Sequence, residues 1–370
     1  MSSVAVDQSQ RAGKADPFVN FRPRREMPGE AFVGNAVCAR CHTQKSRTQS
    51  STAMAHAMST SQESPILQSK RRMTFHAGAY IFETLAEGQQ SIYRVTDGKE
   101  TVSEPIAYVF GKGRVAQTFI LLHKNKLYEG RVSYYSGING LDWTIGDELN
   151  SAPNVEEAFG RDISGGEAAN CFGCHGTGSI TEGKLHLDQL TEGVTCEGCH
   201  GPGTRHAEAM VAGRDENLFI FHPRNLPADI LSQEFCGACH RSADTVGMMP
   251  DLGGIRNVRF QPYRIATGKH DANDPHFSCT ACHNPHIDLP LQNASDDSKC
   301  TVCHSLRAEG QGLPSSKTAS TVAASAAKSC PVGNINCDSC HMPKVEIPGT
   351  HFKFTDHRIR IVRPGEPFPL

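Results

Sequence analysis

Fourteen of the chain's fifteen cysteines fall in pairs separated by two residues, and a histidine follows the second member every time. The seven occurrences are Cys38-Ala39-Arg40-Cys41-His42, Cys171 and Cys174 with His175, Cys196 and Cys199 with His200, Cys236 and Cys239 with His240, Cys279 and Cys282 with His283, Cys300 and Cys303 with His304, and Cys337 and Cys340 with His341. Thiols three positions apart share one face of a helical turn. They can therefore add to the two vinyl groups on one edge of a porphyrin, and the next residue can put a ring nitrogen on the iron. This is the pattern of covalent c-type haem attachment. Structural zinc needs four ligands, usually two such pairs, so an odd number fits it badly. A disulfide framework has no use for the histidines, and a thioredoxin-like redox motif explains one pair, not seven. Cys330 is left over, at the end of a Ser/Ala/Thr-rich stretch. It reads as a small linker residue, with a regulatory thiol or an intermolecular crosslink as the alternative.

Each iron has a second axial position. Of 18 histidines, eleven lie outside the motifs: His56, His76, His123, His186, His206, His222, His270, His276, His286, His351 and His357. Methionine is the rival ligand and raises the potential. Met54 and Met58 flank His56, so one His/Met site stays open. His206 follows Gly201-Pro202-Gly203, a turn that can carry it to a neighbouring haem. His286 comes too soon after His283 to serve the same iron. His351 and His357 follow the last motif in a short C-terminal segment. These four lead; His56 and His76 come next, then His276 or His222. His123, His186 and His270 read as ordinary surface or hydrogen-bonding residues.

The elements that must position these groups differ along the chain. Residues 1–30 are polar, carry Arg22, Arg24 and Arg25, and do not read as a secretory signal. Haem attachment normally follows export, so a signal is expected upstream and a periplasmic or extracellular location with it. Residues 31–71 hold the first motif. Residues 72–148 form a β-rich insert of short runs, Thr74 to Leu85, Ser91 to Thr96, Pro105 to Phe110, Ala116 to Leu122 and Leu127 to Tyr135, which predict an antiparallel meander of four or five strands. Residues 149–312 hold motifs two to six, with helices predicted over Thr204 to Val211 and Pro227 to His240. Residues 313–330 read as a linker, and 331–370 carry the seventh motif. Roughly 53 residues per haem is too little for a polypeptide core around each one. The expected fold is therefore mostly short helices and loops wrapped around seven stacked haems, with the meander inserted.

Lys and Arg number 37 and Asp and Glu 39. That balance gives no case for nucleic-acid binding, and no apolar run approaches the roughly 18–20 residues of a membrane span. Two propionates per haem against one net positive charge per ferric centre would take the net charge from −2 to about −9, and to about −16 on full reduction. Lys70-Arg71-Arg72 and Arg358, Arg360 and Arg363 are expected to serve some of those propionates.

Gly193-Val194-Thr195-Cys196-Glu197-Gly198-Cys199-His200-Gly201-Pro202-Gly203 with His206, then Cys282-His283-Asn284-Pro285-His286, Cys340-His341-Met342-Pro343-Lys344 and Thr355-Asp356-His357-Arg358-Ile359, resemble the multihaem cytochrome c family that contains the tetrahaem electron carrier of nitrifying bacteria. That family is related in haem arrangement to the octahaem hydroxylamine oxidoreductases and pentahaem nitrite reductases. The resemblance implies distal ligation by His206, His286, His351 and His357, with His56 and His76 behind them. The chain lacks the CxxCK motif of the nitrite reductases, and no tyrosine stands where the oxidoreductases form their crosslink. The leading expectation is an electron carrier with bis-histidine haems, serving donor and acceptor redox proteins. The alternatives are an oxidoreductase with one open haem acting on a small nitrogen or sulfur compound, and a polymerising extracellular cytochrome wire, a homo-oligomer.

Overall fold

Alternating apolar and polar residues between positions 58 and 162 build a nine-stranded antiparallel sheet: β1 (Met58–Thr60), β2 (Arg72–Ala77), β3 (Tyr80–Glu87), β4 (Gln90–Thr96), β5 (Thr101–Phe110), β6 (Ala116–His123), β7 (Lys126–Tyr135), β8 (Gly140–Trp143) and β9 (Gly160–Asp162). The computed structural model describes residues 22–23, 31–147, 152–214, 219–249, 254–270, 277–289, 297–304, 333, 335–363, 365–366 and 368. Strands β2 to β8 follow one another in order, while β1 pairs with β5 and β9 with β7. The run Thr74 to Leu85, read as one strand, is a hairpin. Ala77 pairs with Tyr80, and Gly78 at φ 58° takes the first corner of a two-residue turn, a backbone that favours glycine. The short strands β1, β8 and β9 carry too few residues to show a period of their own.

Trp143 on β8 packs edge-on against Phe75 of β2 and Phe82 of β3, with ring centres 5.6 and 5.5 Å apart. The two ends of the meander therefore meet, and the sheet curls around a core that includes Phe82, Tyr93, Val109, Phe119 and Leu121. A second apolar cluster, Met58, Phe110, Ile120, Ile163 and Phe172, joins the sheet to the helix Gly166–His175, which carries the second motif. The insert is thus fused to the haem-motif region through packed side chains.

Beyond His175 the regular structure is short, as in the helices Cys196–His200 and Thr204–Val211. The stretch predicted as a helix from Pro227 to His240 is a π-helical turn, Ile230–Cys236, running into an α-helical turn, Gly237–His240. Apolar packing thins there to the cluster Phe221, Leu231 and Phe235. Among the described residues no helix is long and apolar enough to cross a membrane.

Polar clamps tie distant segments together. Asp288 accepts from Arg114 (2.6 Å) and Lys112 (3.2 Å) at the β5–β6 turn and from the backbone N–H of Ala53 (3.3 Å). The Arg114 guanidinium, helped by Lys112, holds the Asp288 carboxyl down to about 2. Asp356 is fully buried against Arg264, which approaches it through Nε at 2.8 Å and Nη2 at 3.0 Å, and it also accepts from Arg360 at 2.7 Å. Burial alone would push the Asp356 carboxyl up; the charge-assisted bonds from Arg264 and Arg360 and the Arg358 N–H keep it below its ordinary value. Two arginines expected to serve propionates are therefore given to protein carboxylates: Arg360 to Asp356, and Arg72 to Glu83.

Candidate functional site

Every CxxCH motif sits on a helical turn. Six of the motif helices are Gly166–His175, Cys196–His200, Gly237–His240, Cys279–Cys282, Ser298–His304 and Cys337–His341. The first motif begins in the helix Asn35–Ala39 and closes with His42 N–H donating to the Cys38 carbonyl at 2.9 Å. An i to i+4 backbone bond of this kind brings two thiols three positions apart to one side.

The histidines then meet ring to ring. His42 and His206 have ring centres 6.4 Å apart and planes 18° apart; His200 and His286 are at 6.0 Å and 17°. His283 and His357 are at 6.2 Å and 39°, and His304 and His270 at 5.9 Å and 64°. Each pair joins a motif histidine to one from a different part of the chain. Two metal–nitrogen bonds of about 2 Å, plus the distance from each ligating nitrogen to its ring centre, add to about 6 Å. The spacing is that of two imidazoles facing one metal.

The hydrogen bonds behind the rings fit the same purpose. The Nδ1 atoms of His175, His200, His341 and His357 lie 2.8, 2.8, 3.0 and 3.0 Å from the carbonyls of Ala57, Phe221, Arg360 and Thr355. A ring that donates Nδ1–H to a carbonyl leaves Nε2 bare, the tautomer a metal requires. Burial pushes the imidazoles of His175, His200, His206, His240, His283 and His286 below their ordinary range, and that of His357 down to about 4. They are neutral at pH 7, as ligands must be. The residues present fit haem held by two thiols and two imidazoles.

The other histidines are placed differently. His351 gives its Nε2 to Asp142 Oδ2 at 2.6 Å, with its ring edge-on to Tyr135. Its backbone sits in the left-handed region at φ 52°, pressed against Gly137, where a side chain on the glycine would collide with the His351 carbonyl. His56 and His76 are exposed, and His222 is half-buried ahead of the turn Pro223–Asn225. His123 lies between Glu104 (2.8 Å) and Glu156 (3.0 Å) inside the β-sheet region. His186 is half-buried and its backbone N–H bonds to the Ser179 carbonyl. His276, Cys330 and the side chain of Cys303 lie outside the described residues. Nothing near His270 in the chain marks it as a ligand; its approach to His304 is a tertiary event. Among the described residues, His175, His240 and His341 face no second imidazole at this spacing. The His175 ring stacks on Phe110 at 4.4 Å and 18°.

Motif helices also lie against one another. The helix of the first motif contacts that of the third, and the π-helical turn leading into the fourth contacts the helix of the fifth; Asp297, ahead of the sixth motif, accepts from the Cys337 N–H of the seventh at 2.8 Å. Cys174 Sγ lies 3.8 Å from the Ala238 carbonyl in the fourth motif, and Cys199 and Cys236 pack on one apolar cluster.

Residues 147–201, which contain the second and third motifs, match the family model described as cytochrome c554 and c-prime. The chain matches none of the curated proteins in sequence. Among solved structures it is similar to the outer cell wall cytochrome OcwA, at 18% identity and a TM-score of 0.32. That likeness covers 56% of this chain and 37% of the other. The family match, with the seven motifs, supports a multihaem c-type cytochrome with covalently bound haem c.

Proposed function

We propose that the chain is a heptahaem electron-transfer cytochrome, exported to the periplasm or the cell exterior, that passes single electrons between redox partner proteins. The four histidine pairs at 5.9 to 6.4 Å carry this reading. His42/His206, His200/His286, His283/His357 and His304/His270 are assigned as axial pairs, each drawing one ligand from outside its own motif. Haem iron between two imidazoles changes oxidation state with no position open to substrate, at low potential. The chain's part is to hold the rings at fixed spacing, so that little reorganises when an electron arrives.

The neighbouring motif helices suggest a route: first beside third, third beside fourth, fourth beside fifth, sixth beside seventh, with the second branching from the fourth. His357 joins the segment after the seventh motif to the fifth. The test is a haem count by mass on the exported protein, followed by its ferric absorption spectrum. Seven attached haems and reversible reduction without ligand binding are expected. A chain that carries fewer haems, or whose low-spin bands are outweighed by high-spin bands that bind cyanide or nitrite, would contradict the reading and favour the oxidoreductase.

A further inference from the structure

Cys38 and Cys196, Cys236 and Cys279, and Cys300 and Cys337 are the first cysteines of the three motif pairs that lie together: first with third, fourth with fifth and sixth with seventh. A second regularity accompanies each meeting. The first cysteine of one motif has its backbone N–H capped by a side chain that precedes the other motif. Asn35 Oδ1 accepts from Cys196 N–H at 3.2 Å, and Ser232 Oγ from Cys279 N–H at 3.4 Å. Asp297 Oδ1 accepts from Cys337 N–H at 2.8 Å, and its Oδ2 from Asn336 N–H at 2.7 Å.

Asn35 and Asp297 stand three residues before the first cysteine of their own motifs, and Ser232 stands four before Cys236. The π-helical turn Ile230–Cys236 accounts for the difference, because a π turn takes up one residue more than an α turn. Asn, Ser and Asp are the side chains that cap helix N-termini from the same chain segment. Here they do so across two helices, at the same position, three times.

We propose that Asn35, Ser232 and Asp297 are the positioning residues of one repeated unit. Each locks the partner's motif helix against its own, so that haems pair as first with third, fourth with fifth and sixth with seventh. The second haem stands outside the repeat. The proposal rests on the reading of the motifs as haem sites and adds that their pairing is set by three equivalent cross-caps.

The test uses the holo-protein and the variants N35A, S232A and D297A. Haem attachment is mapped by peptide mass, and midpoint potentials are followed haem by haem through the NMR signals of the ferric haem methyls. Each substitution is expected to shift two haems, both in its own unit, with no overlap between the three sets and no shift of the haem at Cys171 and Cys174. If D297A is recovered with a haem missing, the loss is expected at Cys337 and Cys340, on the partner helix, and D297N, which keeps an acceptor oxygen, should restore it. Shifts shared between units, or loss confined to the haem of the substituted residue's own motif, would overturn the proposal. Fewer than seven haems on the unsubstituted protein would remove the haem reading itself, a separate result that the mass map reports first.

Discussion

A carbonyl behind an imidazole decides which nitrogen faces a metal, and at His357 that carbonyl belongs to Thr355, one residue from the buried Asp356. Arg264 therefore acts on the ring at one remove. Removing it would take the bidentate partner from a buried carboxylate that keeps only Arg360 and the Arg358 N–H, a loss of up to about 3 kcal/mol. Arg264→Ala should lower the unfolding free energy by that amount and raise a high-spin signal from the haem of His283. Glu197 is a second such residue. It is 3% exposed and accepts from the N–H groups of Val33 (2.9 Å), Gly34 (2.8 Å) and Gly203 (2.8 Å), the last two being the residues that lead into the helices carrying Cys38 and His206. Glu197→Ala leaves three N–H groups unpaired at roughly 1–3 kcal/mol each. Both rings of the His42/His206 pair should loosen, seen as a lower melting temperature together with one new high-spin haem. At this scale the sequence was readable wherever a local signal existed. The motif cysteines mark themselves, and His206 and His286 stand beside glycine or proline turns next to a motif. His270 and His351 have no such neighbour. The first is brought to His304 and the second to Asp142 by contacts across the fold, which no local pattern encodes.

Strand β9 joins the sheet through a surface pair as well as through its backbone. Lys126 on β7, with the Ser164 N–H, holds the Asp162 carboxyl down to about 2. Because the folded value lies below the ordinary carboxylate value of about 3.9, the stabilisation is complete above pH 4 and is lost as pH falls toward 2. Asp162→Asn should flatten that part of the stability-versus-pH curve while leaving pH 7 stability within the small range of surface pairs. The Asp288 clamp works between elements: Asp288→Ala should expose the β5–β6 turn to limited proteolysis, since Arg114 and Lys112 lose the carboxylate that holds that turn to the loop of Ala53. Four of the strand runs, those of β4 to β7, were legible from alternation and turn residues, as was the helix Thr204–Val211. The hairpin at Gly78 was hidden because both arms are β-branched and aromatic. The π turn before Cys236 was hidden because its pattern is that of an ordinary helix, with one residue more.

Across the molecule, apolar packing is unevenly shared: a filled core inside the sheet, and thin clusters among the motif helices. This is the distribution expected where cofactor supplies the interior, as it would at the roughly 53 residues per haem that seven haems would leave. Seven haems would also make the working charge negative, near −9 oxidised, although the polypeptide alone carries −2. Protonating propionates as pH falls removes negative charge beside the irons and favours the ferrous state, so midpoint potentials should rise with acidity. Spectroelectrochemical titration at several pH values checks this, and haems with no pH response at all would contradict it. The function proposed depends above all on which histidines would face the motif histidines across an iron. Ferric EPR of the holo-protein with His270→Ala and, separately, His351→Ala decides it. His270→Ala should convert one low-spin haem to high-spin while His351→Ala leaves the low-spin signals unchanged; the reverse pattern would contradict the pairing.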